Sequence, residues 1–394
     1  MRFLQAGTLS CLLFVQVAAQ SPLNFQDIQA RARSTPEQWR TDALLAERQR
    51  QIQETQGFLR EGPSVSFLAG PRRIPGAPGT TDKAVDLDLP LFLSNTARAD
   101  LESSLGQAHP LLREAALREG RFRLRVAYLD AWLAARTLAL READYTTVDR
   151  WLKSAQARFE AGSDPAFQVS LVEGELLKVR QELDEAWTQE ARTWGALFAV
   201  ADVPMGPLPL ADPGPVAVIP LVDLERRLEE GPLRQALFAA TKLEEQSLRL
   251  KEAQALSRWS LRGSYAAEGD EKVTRFGLAV RLPRPGERNS IRSNTEAQIR
   301  ANTGSARQAL AELDARALAV ISRLKLTPPN PNPPDFSKAI EAVGLRLQEG
   351  RERPSEALPI RRQLLESQMA SLRRHHAQHL LAAELKALLP EVNR

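Results

Sequence analysis

Three of the four histidines in the sequence lie close together, at His375, His376 and His379. On a helix, the pairs His375/His379 and His376/His379 share a face, and imidazole nitrogens with that spacing can bind Zn²⁺. The neighbouring sequence offers no carboxylate to complete a ligand set. We therefore interpret the histidines as a solvated helix face, with a metal site as the alternative.

Asp86 and Asp88 form a second candidate site, because two carboxylates at this spacing are typical of metal–nucleotide sites in transferases. The surrounding segment 83–92 alternates polar and apolar side chains, which favours an amphipathic strand with both aspartates on its polar face. The sequence contains neither a Gly-x-Ser-x-Gly motif nor a phosphate-binding loop, and its one cysteine is Cys11. We predict no enzymatic activity and no cofactor.

The segment 257–283 alternates in the same way on both sides of a turn. Trp259 and Leu261 share a face with Phe276 and Val280, and the opposite face carries arginines. The sequence predicts two β-hairpins, 64–92 and 258–282, built from strands 64–69, 83–92, 258–266 and 273–282. One apolar face opposite a charged face suits a wall between lipid and a polar lumen. The predicted lumen residues are Asp86, Asp88, Arg262 and Arg281.

Long helical patterns surround the hairpins. One runs from Ser94 to about Ala161, and its apolar residues recur every three or four positions, which is the spacing of a coiled-coil seam. At about 1.5 Å per residue this helix approaches roughly 100 Å. Gly162 and Pro165 end it, and a second seam begins at Val169. The sequence therefore predicts a helical hairpin with a tip near Gly162, and a similar tip near Gly350.

The order of helix, β-hairpin and helical hairpin occurs twice, which predicts an internal twofold repeat. We place the first repeat at 20–200, a Pro-rich linker at 201–220 and the second repeat at 221–394. Residues 1–19 have the charge, apolar run and small-residue end of a secretory signal. No later apolar run is long enough for a transmembrane helix. The net charge of +4, with 26% charged residues of both signs, does not indicate nucleic-acid binding.

With this plan the sequence resembles the TolC-like outer membrane efflux proteins, in particular the heavy-metal and drug efflux branch. The resemblance rests on the repeat and its spacing. It also rests on four segments: 89–92 (LPLF), 282–283 (LP), 158–162 (RFEAG) and 345–350 (LRLQEG). It implies a mainly α fold, with long antiparallel coiled-coil helices forming a periplasmic α-barrel. Four strands per chain would contribute to a trimeric 12-stranded outer membrane β-barrel.

The resemblance also implies partners: two further copies of the chain, outer membrane lipid, a periplasmic adaptor protein and an inner-membrane pump. The tip residues Arg158, Gly162, Arg346 and Gly350 would dock the adaptor, although ordinary surface arginines are the alternative for the two arginines. Glu356 and Arg361 would line the periplasmic aperture. Some members close this aperture with two acids three residues apart, and here Glu356 is followed by Pro359 at the second position.

The expected function is a passive outer membrane exit duct of a tripartite efflux or type I secretion system. The alternative is a soluble periplasmic coiled-coil adaptor or scaffold. Two outward-facing apolar strand pairs favour the duct, because a soluble adaptor has no use for Trp259, Leu261, Phe276 and Val280 on one face. The sequence leaves open whether the cargo is a metal, a drug or a protein.

Overall fold

We analysed a computed structural model of the chain. It describes residues 22–56, 62–72, 80–91, 96–203, 208–216, 224–256, 259–268, 271–280, 284–326, 336–349 and 351–390. The predicted signal segment, the proline-rich stretch Thr327–Pro334 and Gly350 lie outside these residues. The helices are α1 (Phe25–Ala30), α2 (Pro36–Glu54), α3 (Thr96–Glu160), α4 (Ala166–Val200), α5 (Leu224–Glu229), α6 (Pro232–Leu256), α7 (Glu287–Leu326), α8 (Ser337–Gln348) and α9 (Pro354–Leu388). The strands are β1 (Ser64–Arg72), β2 (Thr80–Pro90), β3 (Trp259–Glu268) and β4 (Glu271–Val280).

The described chain is therefore mainly helical with one four-stranded antiparallel sheet, as the sequence predicts. Its packing divides into two compact units. Unit 1 comprises Met1–Thr35, Gly120–Val222 and Val320–Ala387, and unit 2 comprises the remaining segments, from Pro36 to Glu119, from Asp223 to Ala319 and from Leu388 onward. Each unit takes segments from both predicted repeats, so the compact units do not coincide with the repeats.

Unit 1 contains the predicted helical hairpin of α3 and α4. Val148 and Ala155 of α3 pack in one buried cluster with Val172 and Val179 of α4, which confirms the seam that the heptad spacing predicts. At the tip, Gly162 has φ of 71°, a left-handed conformation that glycine adopts without steric cost. The amide of Ser163 donates to the carbonyl of Arg158 at 2.9 Å, which is the Schellman closure of a helix end.

The described parts of the Pro-rich segment, 201–203 and 208–216, belong to the core of unit 1. Val203 and Leu210 are buried in one cluster with Trp132 and Leu197. The amide of Leu23 donates to the carbonyl of Pro209 at 3.0 Å, and the hydroxyl of Tyr128 donates to the carbonyl of Ala211 at 2.6 Å. The interpretation of this segment as a plain linker is therefore incomplete, because its apolar residues between the prolines are packed.

Unit 2 contains the sheet and a helical core in which Ile52, Leu101, Leu243 and Leu250 are buried together. Arg48 of α2 forms an ion pair with Glu244 of α6 beside this core. Gly231, between α5 and α6, lets the backbone of Leu388 pack closely against it, because a Cβ at this position would lie 2.6 Å from the carbonyl oxygen of Leu388. Among the described residues, none of the helices combines the length and apolar character needed to cross a membrane.

The strand order is β1-β2-β3-β4, so the strands of the two hairpins pair with each other through β2 and β3. The strands extend further toward the hairpin connections than the sequence predicts, since β1 reaches Arg72 and β2 begins at Thr80. Likewise, β3 reaches Glu268 and β4 begins at Glu271. Backbone hydrogen bonds continue there after the side-chain alternation has ended, and the sequence pattern detects only the alternation.

Candidate functional site

The register of the sheet separates its side chains into two faces. Directly opposed residues of neighbouring strands point to the same side, so we call each set of opposed residues a row. The apolar face contains Val65, Phe67, Ala69, Pro71, Thr81, Lys83, Val85, Leu87, Leu89, Trp259, Leu261, Gly263, Tyr265, Ala267, Lys272, Thr274, Phe276, Leu278 and Val280. The polar face contains Ser64, Ser66, Leu68, Gly70, Arg72, Thr80, Asp82, Ala84, Asp86, Asp88, Pro90, Ser260, Arg262, Ser264, Ala266, Glu268, Glu271, Val273, Arg275, Gly277 and Ala279.

None of the residues that the structure describes covers the apolar face. The side chains of Phe67 and Phe276 are 77% and 80% exposed, and Leu278 and Val65 are also exposed. A contiguous apolar surface of this kind marks a site of contact with lipid or with another protein. The alternation that the sequence predicts continues across the strands from the row of Trp259 to the row of Tyr265. Nearer the hairpin connections it ends, since Leu68, Ala84, Ala266 and Val273 form an apolar row on the polar face.

The polar face carries acids on β2 and arginines on β3 and β4. The guanidinium of Arg262 lies 3.5 Å from a carboxylate oxygen of Asp88. Arg275 is in the next row, opposite Ser264, which in turn is opposite Asp86. A concavity on this face is lined by four charged residues, Asp86, Asp88, Arg262 and Arg275.

Two further arginines of β4 and its end bear on the predicted lumen set. Arg281, which the sequence also assigns to the lumen, lies outside the described residues. Arg275 was not among the predicted lumen residues. The alternation could have identified it, because Arg275 precedes Gly277 by two residues and therefore lies on the same face.

At the first tip, Arg158 makes contacts within its own chain. Its guanidinium donates to the carbonyl of Leu347 in α8 and lies 3.7 Å from a carboxylate oxygen of Asp164. Arg346 is more exposed, with 64% of its side chain accessible, and it pairs with Glu352 at 3.3 Å. The structure thus brings Arg158 close to the end of α8.

Arg361, predicted to line the aperture, is instead buried. Its side chain is 1% exposed and lies between two carboxylates, Asp144 of α3 and Glu175 of α4. One guanidinium nitrogen donates to Glu175 Oε1 at 2.5 Å and the other donates to Asp144. The prediction for Arg361 is therefore wrong, because a side chain enclosed by three helices cannot face an opening. Glu356 is exposed in the first turn of α9.

Arg362 completes what we call the charge cluster, together with Asp144, Glu175 and Arg361. The Nε atom of Arg362 donates to Glu175 Oε1 at 2.9 Å. Burial raises the pKa of Asp144 above its ordinary value despite the neighbouring Arg361. Burial alone would also raise the pKa of Glu175, but its hydrogen bonds and charge interactions with Arg362 and Arg361 lower that pKa overall.

The cluster was not predicted, although the seam pattern contains a signal for it. Asp144 precedes Val148, Trp151 and Ala155 at steps of four, three and four, so a carboxylate occupies a seam position of α3. Glu175 stands between Val172 and Val179 on the seam of α4 in the same way. A charged residue in a seam requires a partner in the interior.

The histidines are mostly buried, and the interpretation as a solvated face is wrong for His375 and His379, which are 7% and 5% exposed. His379 Nε2 lies 3.0 Å from the carbonyl oxygen of Gly214 and 3.2 Å from His375 Nε2. His379 donates to Gly214, because a carbonyl only accepts. Burial lowers the pKa of His379 to about 4 and also lowers the pKa of His375.

His376 points to a different partner, since its Nε2 lies 2.8 Å from Asp130 Oδ1. The three histidines therefore do not converge on one point. Within the described ranges, the chain contains no group of three or more His, Cys, Asp or Glu side chains placed to hold a metal ion.

Comparison with known proteins identifies the fold. No protein-family model matches the chain, and none of the curated protein sequences matches it. Solved structures do match it over most of their length. A membrane protein from Pseudomonas aeruginosa superposes with a TM-score of 0.65 at 16% identity, covering 93% of this chain and 91% of that one.

Two further solved structures have the same architecture. The outer membrane channel CmeC of Campylobacter jejuni gives a TM-score of 0.64 at 12% identity, with 89% of this chain and 82% of that chain covered. The outer membrane protein VceC of Vibrio cholerae gives 0.61 at 17% identity, with 90% and 93% covered. The chain therefore has the fold of outer membrane channel subunits, with long helical hairpins and four strands per chain.

Proposed function

We propose that this chain is a subunit of an outer membrane channel of the TolC-like family, serving a tripartite efflux or type I secretion system. In this role it passively conducts substrates that an inner-membrane pump and a periplasmic adaptor deliver. The observation that carries the proposal is the two-faced sheet, whose exposed apolar face suits lipid and whose charged face suits a water-filled lumen. The structural similarity to outer membrane channels supports it.

A sheet that spans a lipid bilayer needs other strands to pair with its edges, because unpaired backbone groups are costly in the hydrocarbon. β1 and β4 are the edges of the four-stranded sheet. Since four is an even number, β4 of one copy can pair antiparallel with β1 of the next, and three copies give twelve strands. Exposed apolar residues of α4, namely Phe167, Leu171 and Leu177, offer further surface for contact between copies.

The alternative function is a soluble periplasmic adaptor or scaffold. Such a protein would leave Phe67, Phe276 and Leu278 in water on one face of a sheet, at the cost of the hydrophobic free energy of that area. The exposed apolar face therefore favours the channel.

A matched pair of substitutions on neighbouring residues of β4 tests the proposal. Leu278→Arg places a charge on the apolar face, whereas Ala279→Arg places the same charge on the polar face. In planar bilayers the parent protein and Ala279→Arg should both give discrete conductance steps. Leu278→Arg should fail to insert, because arginine on a lipid face costs up to about 2–4 kcal/mol.

The opposite outcome would favour the soluble alternative. If the parent protein purifies without detergent and gives no conductance, and both variants behave like it, the sheet does not face lipid. The mass in detergent, corrected for bound detergent, should correspond to three chains, and a stable monomer would contradict the barrel.

We further propose that Gly162 and Gly350, with Arg158 and Arg346, form the surface that docks the adaptor. Arg346 supports this role because its side chain is exposed, whereas Arg158 is held by Leu347 and Asp164. Gly162→Val should strain the left-handed turn by about 1 kcal/mol or more, although its Cβ would meet no other atom. Export and co-purification with the adaptor should fall while the trimer persists. A lost trimer would instead assign the tip a structural role.

A further inference from the structure

The apolar face of the sheet carries charge in only one row. Among the described residues of the four strands, Lys83 and Lys272 are the only charged residues on that face. The register places them together, since Lys83 is opposite Ala267 and Ala267 is opposite Lys272. Both lysines are exposed. Two lone positive charges in one row, on a face that is otherwise uncharged, require an explanation.

The spacing of the two lysines suits a shared anion. One strand separates β2 from β4, so their backbones lie about 9.6 Å apart at this row. Ala267, between them, leaves the space above β3 open. Lysine has a flexible four-carbon stem with three donors on its ammonium, so both groups can turn inward and contact one anionic group between them.

The position of the row along the strands indicates where that anion lies. The row is one step beyond the row of Phe67, Val85 and Tyr265, at the end of the sheet nearer the two hairpin connections. From Trp259 to Ala267 the strand rises about 27 Å, or about 20 Å along the membrane normal at the usual tilt of such strands. The lysines therefore stand at one border of the apolar band, where lysine side chains extend toward headgroups.

The acids at this end of the sheet lie on the other face. Asp82 lies on the polar face with Asp86, because the two are four residues apart on β2 and successive side chains of a strand point to opposite faces. The lysines are thus separated by the sheet from the carboxylates of their own hairpins. Positive charge toward lipid and negative charge toward the polar side favour an anionic lipid over an acidic protein partner, since no acid among the described strand residues shares the face of the lysines and the apolar Val85 and Tyr265 fill the next row.

We propose that Lys83 and Lys272 form a binding site for the phosphate group of an anionic lipid, at the membrane surface nearer the hairpin connections. This proposal rests on the proposed function, because it requires that the apolar face contacts lipid. The site anchors the sheet at a fixed depth by electrostatic attraction and hydrogen bonding, while the apolar rows from Tyr265 to Trp259 occupy the hydrocarbon.

The test uses the full chain inserted into vesicles of phosphatidylcholine that contain increasing mole fractions of lipid A, whose glucosamines carry phosphate groups. The measured quantity is the unfolding temperature as a function of the lipid A fraction. The parent protein should be stabilised. In the double variant Lys83→Gln/Lys272→Gln, the lipid A mole fraction that gives half of the maximal rise in unfolding temperature should increase by about fivefold for each lysine removed.

Three controls make the result specific. Lys251→Gln/Lys325→Gln removes the same charge from exposed helical positions and should behave like the parent protein. Lys83→Arg/Lys272→Arg keeps the charges and should retain the response. Inorganic phosphate, added to phosphatidylcholine vesicles without lipid A, should not stabilise the protein.

Each outcome has a distinct meaning. A protein that inserts into the vesicles but shows the same lipid A dependence with and without the two lysines overturns the lipid site and leaves the channel proposal intact. Equal stabilisation by inorganic phosphate also overturns the lipid site. A protein that does not insert into either type of vesicle overturns the proposed function and this site together.

Discussion

The same kinds of charged side chain occur in two regions of the molecule with opposite surroundings. On the sheet, Arg262 lies beside Asp88 on an exposed face, at 3.5 Å. In unit 1, Arg361 lies between Asp144 and Glu175, with all three side chains almost completely buried. An exposed pair is screened by water and contributes little to stability, whereas a buried pair interacts strongly but has lost its hydration.

The difference indicates which function each set of charges serves. The sheet charges remain available to solutes, so their effect should appear in conduction. Arg361, Asp144 and Glu175 are closed to solutes, and their effect should appear in the packing of α3, α4 and α9. Because Arg361 has specific partners on both other helices, it selects one arrangement of the three helices. The predictions below test this division of roles.

The largest effect is expected from Arg361→Met, which keeps most of the side-chain volume and removes the charge. Asp144 and Glu175 would then be buried with one partner fewer, at a cost of about 3–5 kcal/mol. The denaturation midpoint in detergent should fall accordingly. Arg346→Met is the matched control in the same unit, because the Arg346 side chain is 64% exposed, and it should change stability by less than about 1 kcal/mol.

A second variant distinguishes lost charge pairing from lost packing. The triple replacement Arg361→Met/Asp144→Leu/Glu175→Leu removes all the buried charge and should recover most of the stability. If Arg361→Met and Arg346→Met shift the midpoint equally, the contrast between buried and exposed pairs is wrong for this protein.

An intermediate effect is expected from acid acting on the buried histidines. The folded-state pKa of His379 is about 4 and that of His375 is also lowered, whereas unfolded histidine titrates near 6.5. Unfolding therefore takes up protons below about pH 6.5. Each histidine should lower stability by at most about 1.4 kcal/mol per pH unit as the pH falls through this window.

Comparing the parent protein with His375→Phe/His379→Gln isolates this effect from the carboxylates. The raised pKa of Asp144 acts in the opposite direction, since its folded form binds a proton more readily than the unfolded form. The lowered pKa of Glu175 contributes stability that is lost only as the pH falls below the ordinary glutamate range. Denaturation midpoints between pH 7.5 and 5 should decline less in the double variant, and an equal decline would contradict the burial of the histidines.

The smallest effect on stability is expected on the polar face. Arg262→Gln should change the denaturation midpoint by less than about 1 kcal/mol, because the pair with Asp88 is exposed. In a planar bilayer with a salt gradient, however, the reversal potential should shift toward cation selectivity, and Asp88→Asn should shift it toward anions. If Arg262→Gln lowers stability as much as Arg361→Met and leaves the reversal potential unchanged, the sheet charges serve packing and not conduction.

The sequence predicts the sheet faces and the seams well, because a period of two or of 3.5 residues is directly visible in it. Trp259, Leu261 and Phe276 share a face in the structure for the same reason that they alternate in the sequence. The sequence does not reveal which elements become neighbours. Asp144 and Arg361 are far apart along the chain, and only the packing of α9 against α3 brings them together. Burial of His375 and His379 likewise depends on the segment around Gly214.

The pairing of β2 with β3 has a consequence for folding. Leu89 is opposite Leu261, so this pair forms only after α3 and α4 and the whole segment between them have been synthesised. Pairing over such a distance closes a long loop, and topologies of high contact order fold slowly. Until then the first hairpin is marginally stable and has an open strand edge that can pair with other chains. During refolding without lipid or a chaperone, part of the protein should therefore aggregate before the first hairpin pairs with the second.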